Sequence, residues 1–255
     1  MGIRPRTDYN GYGEITDVCI KRKLRDRLLE PGHNIFVQSN DRKSDDAKSL
    51  RDCAEKALGN KFGSGETAKL ASEKWFDVRA FGQLFALPKK SNAKGHDEDG
   101  DTGVSVPIRG PVTVQSAFSL APIDVTSTQI TKSVSGDGDG TKRGSDTMGM
   151  KHRVDDAVYV FYGSMNPQLA ERTGFSDADA EAIKAVLPKL FENDASSARP
   201  EGSMAVLKVI WWKHTAGKCG QYSSAKVHRT LMVNPDSTYR LNSLDGLVAE
   251  EIDGF

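Results

Sequence analysis

Five cationic side chains fall within seven positions near the start of the chain: Lys21, Arg22, Lys23, Arg25 and Arg27, in the segment TDVCIKRKLRDRLLE from Thr16 to Glu30. Asp26 is the only acid among them. Like charges this dense on a helix repel by a few tenths of a kcal/mol per pair. A phosphate backbone would relieve that repulsion and would bind with a steep salt dependence. Such a run is either a solvated helix face or a grip on a polyanion. Two further clusters carry related chemistry. Arg109-Gly110-Pro111-Val112 places a guanidinium beside a residue that permits close backbone approach and one that fixes a bend. Thr147-Met-Gly-Met-Lys-His152-Arg153 alternates soft apolar side chains, suited to wedging against bases, with Lys151 and Arg153, suited to holding phosphates. Each of these two also reads as ordinary structure: a surface turn in the first case, a strand with core methionines in the second.

Signals for catalysis are weak. The five histidines are scattered, without metal-ligand or nucleophile spacing. Asp137-Gly-Asp139-Gly140 and Asp97–Asp101 lack the remaining ligand positions of a calcium loop. Phe62-Gly-Ser-Gly-Glu-Thr67 has Glu66 where a phosphate-binding loop needs lysine. No cofactor and no metal site is expected.

The elements that must position these groups follow from capping and periodicity. Thr16 caps a helix that stops before Pro31-Gly32, with Ile20, Leu24 and Leu28 as its apolar row. Further helices are expected over 46–58 and 66–87, and another from Ser176 to Glu192, opened by a capping box with Asp179 and kinked at Pro188. Residues 88–103 read as a polar excursion. Strand-like material spans 104–123, interrupted at Arg109-Gly110-Pro111, and residues 127–155 read as a long hairpin with a glycine-rich tip. Strands are also expected at 156–162, 204–212 (as the best central strand) and 225–233, with a ragged acidic end. The pattern predicts an α+β fold: one sheet, helices on one face, loops projecting from it.

With 255 residues, the chain suits one large domain or two small ones. Lysine plus arginine equals aspartate plus glutamate at 35 each, so the cationic run stands out from a neutral background. Three separated cysteines, no secretory leader and no membrane-length apolar run predict a soluble cytoplasmic protein without a membrane partner.

The residues also carry a family resemblance. Pro5-Arg6-Thr7-Asp8, Gly13 and Thr16-Asp-Val-Cys-Ile-Lys-Arg-Lys-Leu-Arg25 are followed in order by Phe76-Asp-Val-Arg-Ala-Phe-Gly82, Arg109-Gly-Pro-Val112, Thr147-Met-Gly-Met-Lys-His152 and Thr173-Gly-Phe-Ser176. This series resembles the backbone subunit of type I CRISPR Cascade complexes, a family of the RAMP superfamily, and most closely the type I-C form. The resemblance implies a single ferredoxin-like (RRM-like) palm over 1–255, with a finger-like insertion at about 40–103 and a thumb hairpin at about 127–150. It implies a non-catalytic subunit. Copies of it would polymerise along a CRISPR RNA, pair that guide with a target DNA strand and meet other Cascade subunits. Guide contacts carried over by motif are Arg4, Arg6, Lys21, Arg22, Arg25, Arg109 and Gln115, with Met148, Gly149, Lys151 and His152 at the base of the thumb. Relatives open with an apolar palm strand ahead of the Pro-Arg motif, and that usual first strand has no counterpart here. The rival readings are a metal-dependent ribonuclease using Asp137 or Asp139, and a stand-alone RNA-binding protein.

Overall fold

A computed structural model describes residues 4–87, 104–132, 147–196, 199–215, 217 and 219–255. The expected polar excursion at 88–103, the glycine-rich tip with Asp137 and Asp139, and the first three residues lie outside the described residues. In chain order the elements are β1 (Arg6–Thr7), β2 (Tyr12–Ile15), α1 (Asp17–Leu29), α2 (Leu50–Leu58), α3 (Thr67–Lys74), α4 (Phe76–Phe81), β3 (Gly82–Leu87), β4 (Val104–Arg109), β5 (Val112–Val114), β6 (Ala117–Pro122) and β7 (Val125–Lys132). There follow β8 (Thr147–Val154), β9 (Tyr159–Val160), β10 (Gly163–Met165), α5 (Pro167–Thr173), α6 (Asp177–Val186), β11 (Lys208–Trp212), α7 (Ser224–His228), β12 (Leu231–Val233), β13 (Tyr239–Leu241) and β14 (Ala249–Asp253).

The fold is mixed α and β, but the expected single sheet is divided. Among the described residues one four-stranded sheet runs in the order β1-β2-β6-β9, and the remaining strands pair as β5 with β10, β11 with β14, β12 with β13, β3 with β4, and β7 with β8. Every registered ladder is antiparallel. Glycine and proline at 110–111 separate β4 from β5, so consecutive strands join different partners.

The helix over Thr16–Glu30 forms as its capping predicts. Thr16 Oγ1 accepts from Cys19 N at 3.3 Å, and Ile20, Leu24 and Leu28 are fully buried. The helix expected over 66–87 is three elements instead. Trp75 breaks it with an extended backbone, and Gly82, at φ 81°, turns the chain into β3. Only glycine tolerates that conformation cheaply. The helix expected over 46–58 begins at Leu50, capped by Ser49. Pro188 ends α6 as a short 3-10 turn over Leu187–Lys189.

Two expectations for the C-terminal part are corrected. The segment expected as a central strand is β11, paired only with β14, so the acidic end is an ordered strand. The strand expected over 225–233 is α7 followed by β12, because Ser223 caps a helical turn by accepting from Lys226 N. The strand expected over 156–162 shortens to β9.

The apolar residues gather in two cores. One unites α1 with Phe76, Ala80, Val112, Ala117, Phe175, Ile183 and Leu190. The other holds Phe36, Ala54, Ala71, Trp75, Val78 and Phe85, with the Phe36 ring tilted against Trp75 at 4.7 Å and against Phe85 at 5.3 Å. Helix α4 serves both: Phe76 and Ala80 point into the first core and Val78 into the second, as helical spacing requires.

Candidate nucleic-acid interface

The cations of α1 are compensated within the chain. Lys21 pairs with Asp17 at 3.0 Å, Arg22 with Asp26 at 2.9 Å, Arg25 with Asp77 at 2.9 Å and Arg27 with Glu30 at 2.9 Å, while Lys23 pairs with Asp194. Lys23 and Arg27 are buried. The hydrogen bond from Lys21 is the main reason the Asp17 carboxyl lies below its ordinary value. The repulsion inferred from the sequence is therefore relieved by carboxylates one helical turn away and by two, Asp77 and Asp194, that only the fold brings near. Lys21 and Arg22 keep partly open side chains; Arg25 is largely enclosed.

The motif from Phe76 to Gly82 and the one at Arg109–Val112 are joined structurally. Asp77, buried, accepts from Phe36 N at 2.7 Å, Val37 N at 3.1 Å and Arg25 Nε at 2.9 Å. Arg79 binds Asp179 through two hydrogen bonds, at 2.6 and 3.1 Å. Asp179 also accepts from Ser176 N, completing the capping box of α6. Burial alone would raise the Asp179 carboxyl, but Arg79 and Ser176 together hold it below its ordinary value. Gly82 and Gly110 lie back to back. A Cβ on Gly110 would sit 2.5 Å from Gly82 N and closer still to Ala80 O. Arg109 is exposed at the root of the β3–β4 hairpin, opposite Gly82 in the ladder. Gln115 is exposed, and its N–H donates to Tyr162 O at 2.8 Å.

The β7–β8 hairpin sorts its side chains by alternation. Cross-strand partners share a face, so Ile130 with Gly149 and Thr128 with Lys151 lie on one side, followed by Thr126 with Arg153. Met148, Met150 and His152 lie on the other, opposite Thr131, Gln129 and Ser127. Met148 is 71% exposed and Met150 49%. Of the two readings of this segment, core methionines or side chains free to meet bases, the exposure favours the free methionine face. Gln129 Nε2 contacts Met148 Sδ at 3.1 Å, Ser127 Oγ bonds His152 Nδ1 at 2.8 Å, and Arg153 pairs with Asp155. Lys151 has no ion pair among the described residues.

A cleft of about 1640 Å³ brings Arg4, Arg6, Lys151 and His152 to one surface. Its walls are the segments around β9–β10 and β11, and Ile20, Leu24 and Ile183 reach into its depth. Lys21, Arg22, Arg25, Arg109, Gln115, Met148 and Gly149 do not line it. A residue missed in the sequence is Phe118, which is 45% exposed on β6 between buried Ala117 and Ser119. Its signal was the alternation of AFSL, in which Phe118 points opposite to its neighbours. Among the described residues no group of three or more His, Cys, Asp or Glu is placed to hold a metal ion, and no helix is long and apolar enough to cross a membrane. Burial, with Asp45 beside it, pushes the Cys53 thiol up to about 11.

Comparison with known proteins places this chain in a family. A solved structure described as "CRISPR RNA-guided surveillance complex, pre-nicking" superposes with a TM-score of 0.44 and 12% sequence identity, covering 86% of this chain and 77% of the other. A CRISPR-associated protein Cas7 from Haloferax volcanii is 26% identical over 267 residues, spanning 97% of this chain and 73% of the relative. The family described as CRISPR-associated protein Cas7 matches residues 1–247. That match covers nearly the whole chain, and the chain therefore belongs to the CRISPR-associated Cas7 family.

Proposed function

We propose that the chain is a CRISPR RNA-binding backbone subunit of a type I Cascade surveillance complex. Copies of it assemble along the guide, support pairing of the guide with a target DNA strand and contact other Cascade subunits. The family match over residues 1–247 carries this reading. The cluster of Arg4, Arg6, Lys151 and His152 around one cleft supports it. In this reading sequence is recognised by base pairing and the protein grips backbone and shape.

The finer assignments belong to the same proposal. The palm is ferredoxin-like, residues of about 40–103 form the finger and about 127–150 the thumb, and the subtype is I-C. The subunit holds RNA without cutting it and works in the cytoplasm. Arg4, Arg6, Lys151 and His152 form one contact group. Lys21, Arg22 and Arg109 are reachable phosphate contacts elsewhere on the surface, with Gln115 beside the sheet. Met148 and Gly149 present the thumb to a displaced nucleotide. Arg25 serves first as the partner of Asp77 and only secondarily as a guide contact.

The test is purification of the chain with co-expressed CRISPR RNA. Expected are an absorbance ratio showing bound nucleic acid, regularly spaced protected fragments after nuclease treatment, and filaments by electron microscopy. A compact, RNA-free monomer under those conditions refutes the proposal.

A further inference from the structure

We propose that the open face of the β1-β2-β6-β9 sheet is a stacking platform for one nucleobase of single-stranded RNA, with Phe118 beneath the base and Arg6 on its phosphate. This rests on the RNA-binding reading above and adds a contact that neither the motifs nor the family match assigns.

The ladder registers define the platform. Arg6 faces Glu14, Glu14 faces Phe118, and Phe118 faces Val160, so the four residues form one row across all four strands. Ala117, packed in the core with α1, and Ser119, whose hydroxyl accepts from Gly13 N and donates to Ala121 O, are both buried on either side of Phe118, which fixes Phe118 on the opposite, open face. It is the aromatic ring in the row, and 45% of it is exposed. Adjacent strands lie about 4.8 Å apart, so Arg6 and Phe118, two strands apart, are separated by roughly 10 Å at the backbone. A single nucleotide fits that span, with its base over the ring and its phosphate within reach of the guanidinium.

Charge decides what covers this face. Arg4 and Arg6 are exposed and make no ion pair among the described residues, so the Arg6 end of the row carries positive charge without an internal partner. A nucleotide satisfies a ring and a guanidinium together. An apolar protein surface would bury Arg6 and Glu14 without partners, at several kcal/mol. Glu14 is the acid in the row. It keeps phosphate away from the middle of the sheet, which leaves the Arg6 end as the anionic position, and its oxygens can accept hydrogen bonds from base amino groups.

Stacking and charge have different signatures, and the experiment separates them. Binding of a short fluorescein-labelled single-stranded RNA to the full chain is measured by anisotropy across a salt series. Base–aromatic stacking is worth about 1–3 kcal/mol on alanine substitution, so Phe118→Ala should weaken binding about 5- to 150-fold. The slope of log affinity against log salt should not change. Arg6→Gln should lower that slope by about 0.7, the value for one phosphate on a single strand. Phe118→Trp should keep affinity and gain indole quenching on RNA addition beyond that of the parent chain. Phe118→Leu keeps the apolar bulk without the π face and should weaken binding as alanine does, with an unchanged thermal midpoint. Affinity of Phe118→Leu equal to the parent, or Phe118→Ala affecting only self-association in sedimentation, overturns the platform while leaving RNA binding intact. Absence of RNA binding by the parent chain overturns the wider reading and the platform with it.

Discussion

Replacing Asp77 by alanine should be among the most damaging single changes in this protein. The carboxylate is 1% exposed and accepts three hydrogen bonds: Arg25 Nε at 2.9 Å, Phe36 N at 2.7 Å and Val37 N at 3.1 Å. Those donors come from α1 and from the segment that follows it, so one side chain ties both to α4. Removing one member of a buried ion pair costs about 3–5 kcal/mol, because the other charge is left without a partner. The two backbone N–H groups lose their acceptor in the same step. Against a total stability of about 5–15 kcal/mol, the loss is about a fifth or more. With a urea dependence of about 1–3 kcal/mol per molar, the unfolding midpoint should fall by at least about 1 M. Asp77→Asn keeps an acceptor oxygen for the backbone donors and should lose less. Arg25→Met should also lose less, because Asp77 keeps both N–H donors. Urea titration followed by circular dichroism reads all three. A midpoint shift under about 0.3 M for Asp77→Ala would refute the reasoning. The same Arg25→Met protein decides whether Arg25 also meets RNA, since losing a phosphate contact lowers the salt slope by about 0.7.

Gly110→Ala should destabilise by about 1–3 kcal/mol or more, because its Cβ runs into the backbone of Ala80 and Gly82; a thermal midpoint equal to the parent's would contradict that close approach. The Arg79–Asp179 pair should stabilise the fold fully above about pH 4 and lose its effect as pH falls through the Asp179 value, which lies below the ordinary carboxylate value. The stability gap between the parent and Asp179→Asn should accordingly hold from pH 7 to about pH 4 and narrow below that in denaturant titrations. Met148→Ser with Met150→Ser should leave stability within about 0.5 kcal/mol, since both side chains are exposed, while weakening RNA retention; a large loss of stability would place them in a core. Thr16→Ala should cost about 1 kcal/mol by removing the cap of α1, measurable as a drop in unfolding midpoint.

Helix α1 shows how far sequence reasoning reached. Its cap, its apolar row and its end before Pro31-Gly32 are local features and were legible. The fate of its charges was not. Asp77 lies 52 positions from Arg25, and Asp194 lies 171 from Lys23, so no window along the chain could pair them. The region from Glu66 to Leu87 misled for a related reason. Its apolar spacing suits one helix, but Trp75 and Gly82 each serve a packing demand that breaks it. Phe118 escaped notice because a lone aromatic in a strand is informative only once the buried face of that strand is known.

The order of motifs, the neutral overall charge and the capped cationic helix were determined by the sequence alone, because they depend on residue identity and short-range spacing. The tertiary structure decided which cations remain available. Carboxylates pair with all five cations of α1, two of them, Asp77 and Asp194, brought from far along the chain, and the cleft instead gathers Arg4 and Arg6 from the N-terminal segment with Lys151 and His152 from β8. Charge becomes a binding surface only where folding leaves it without an internal partner, and that is settled by distance in space rather than along the chain.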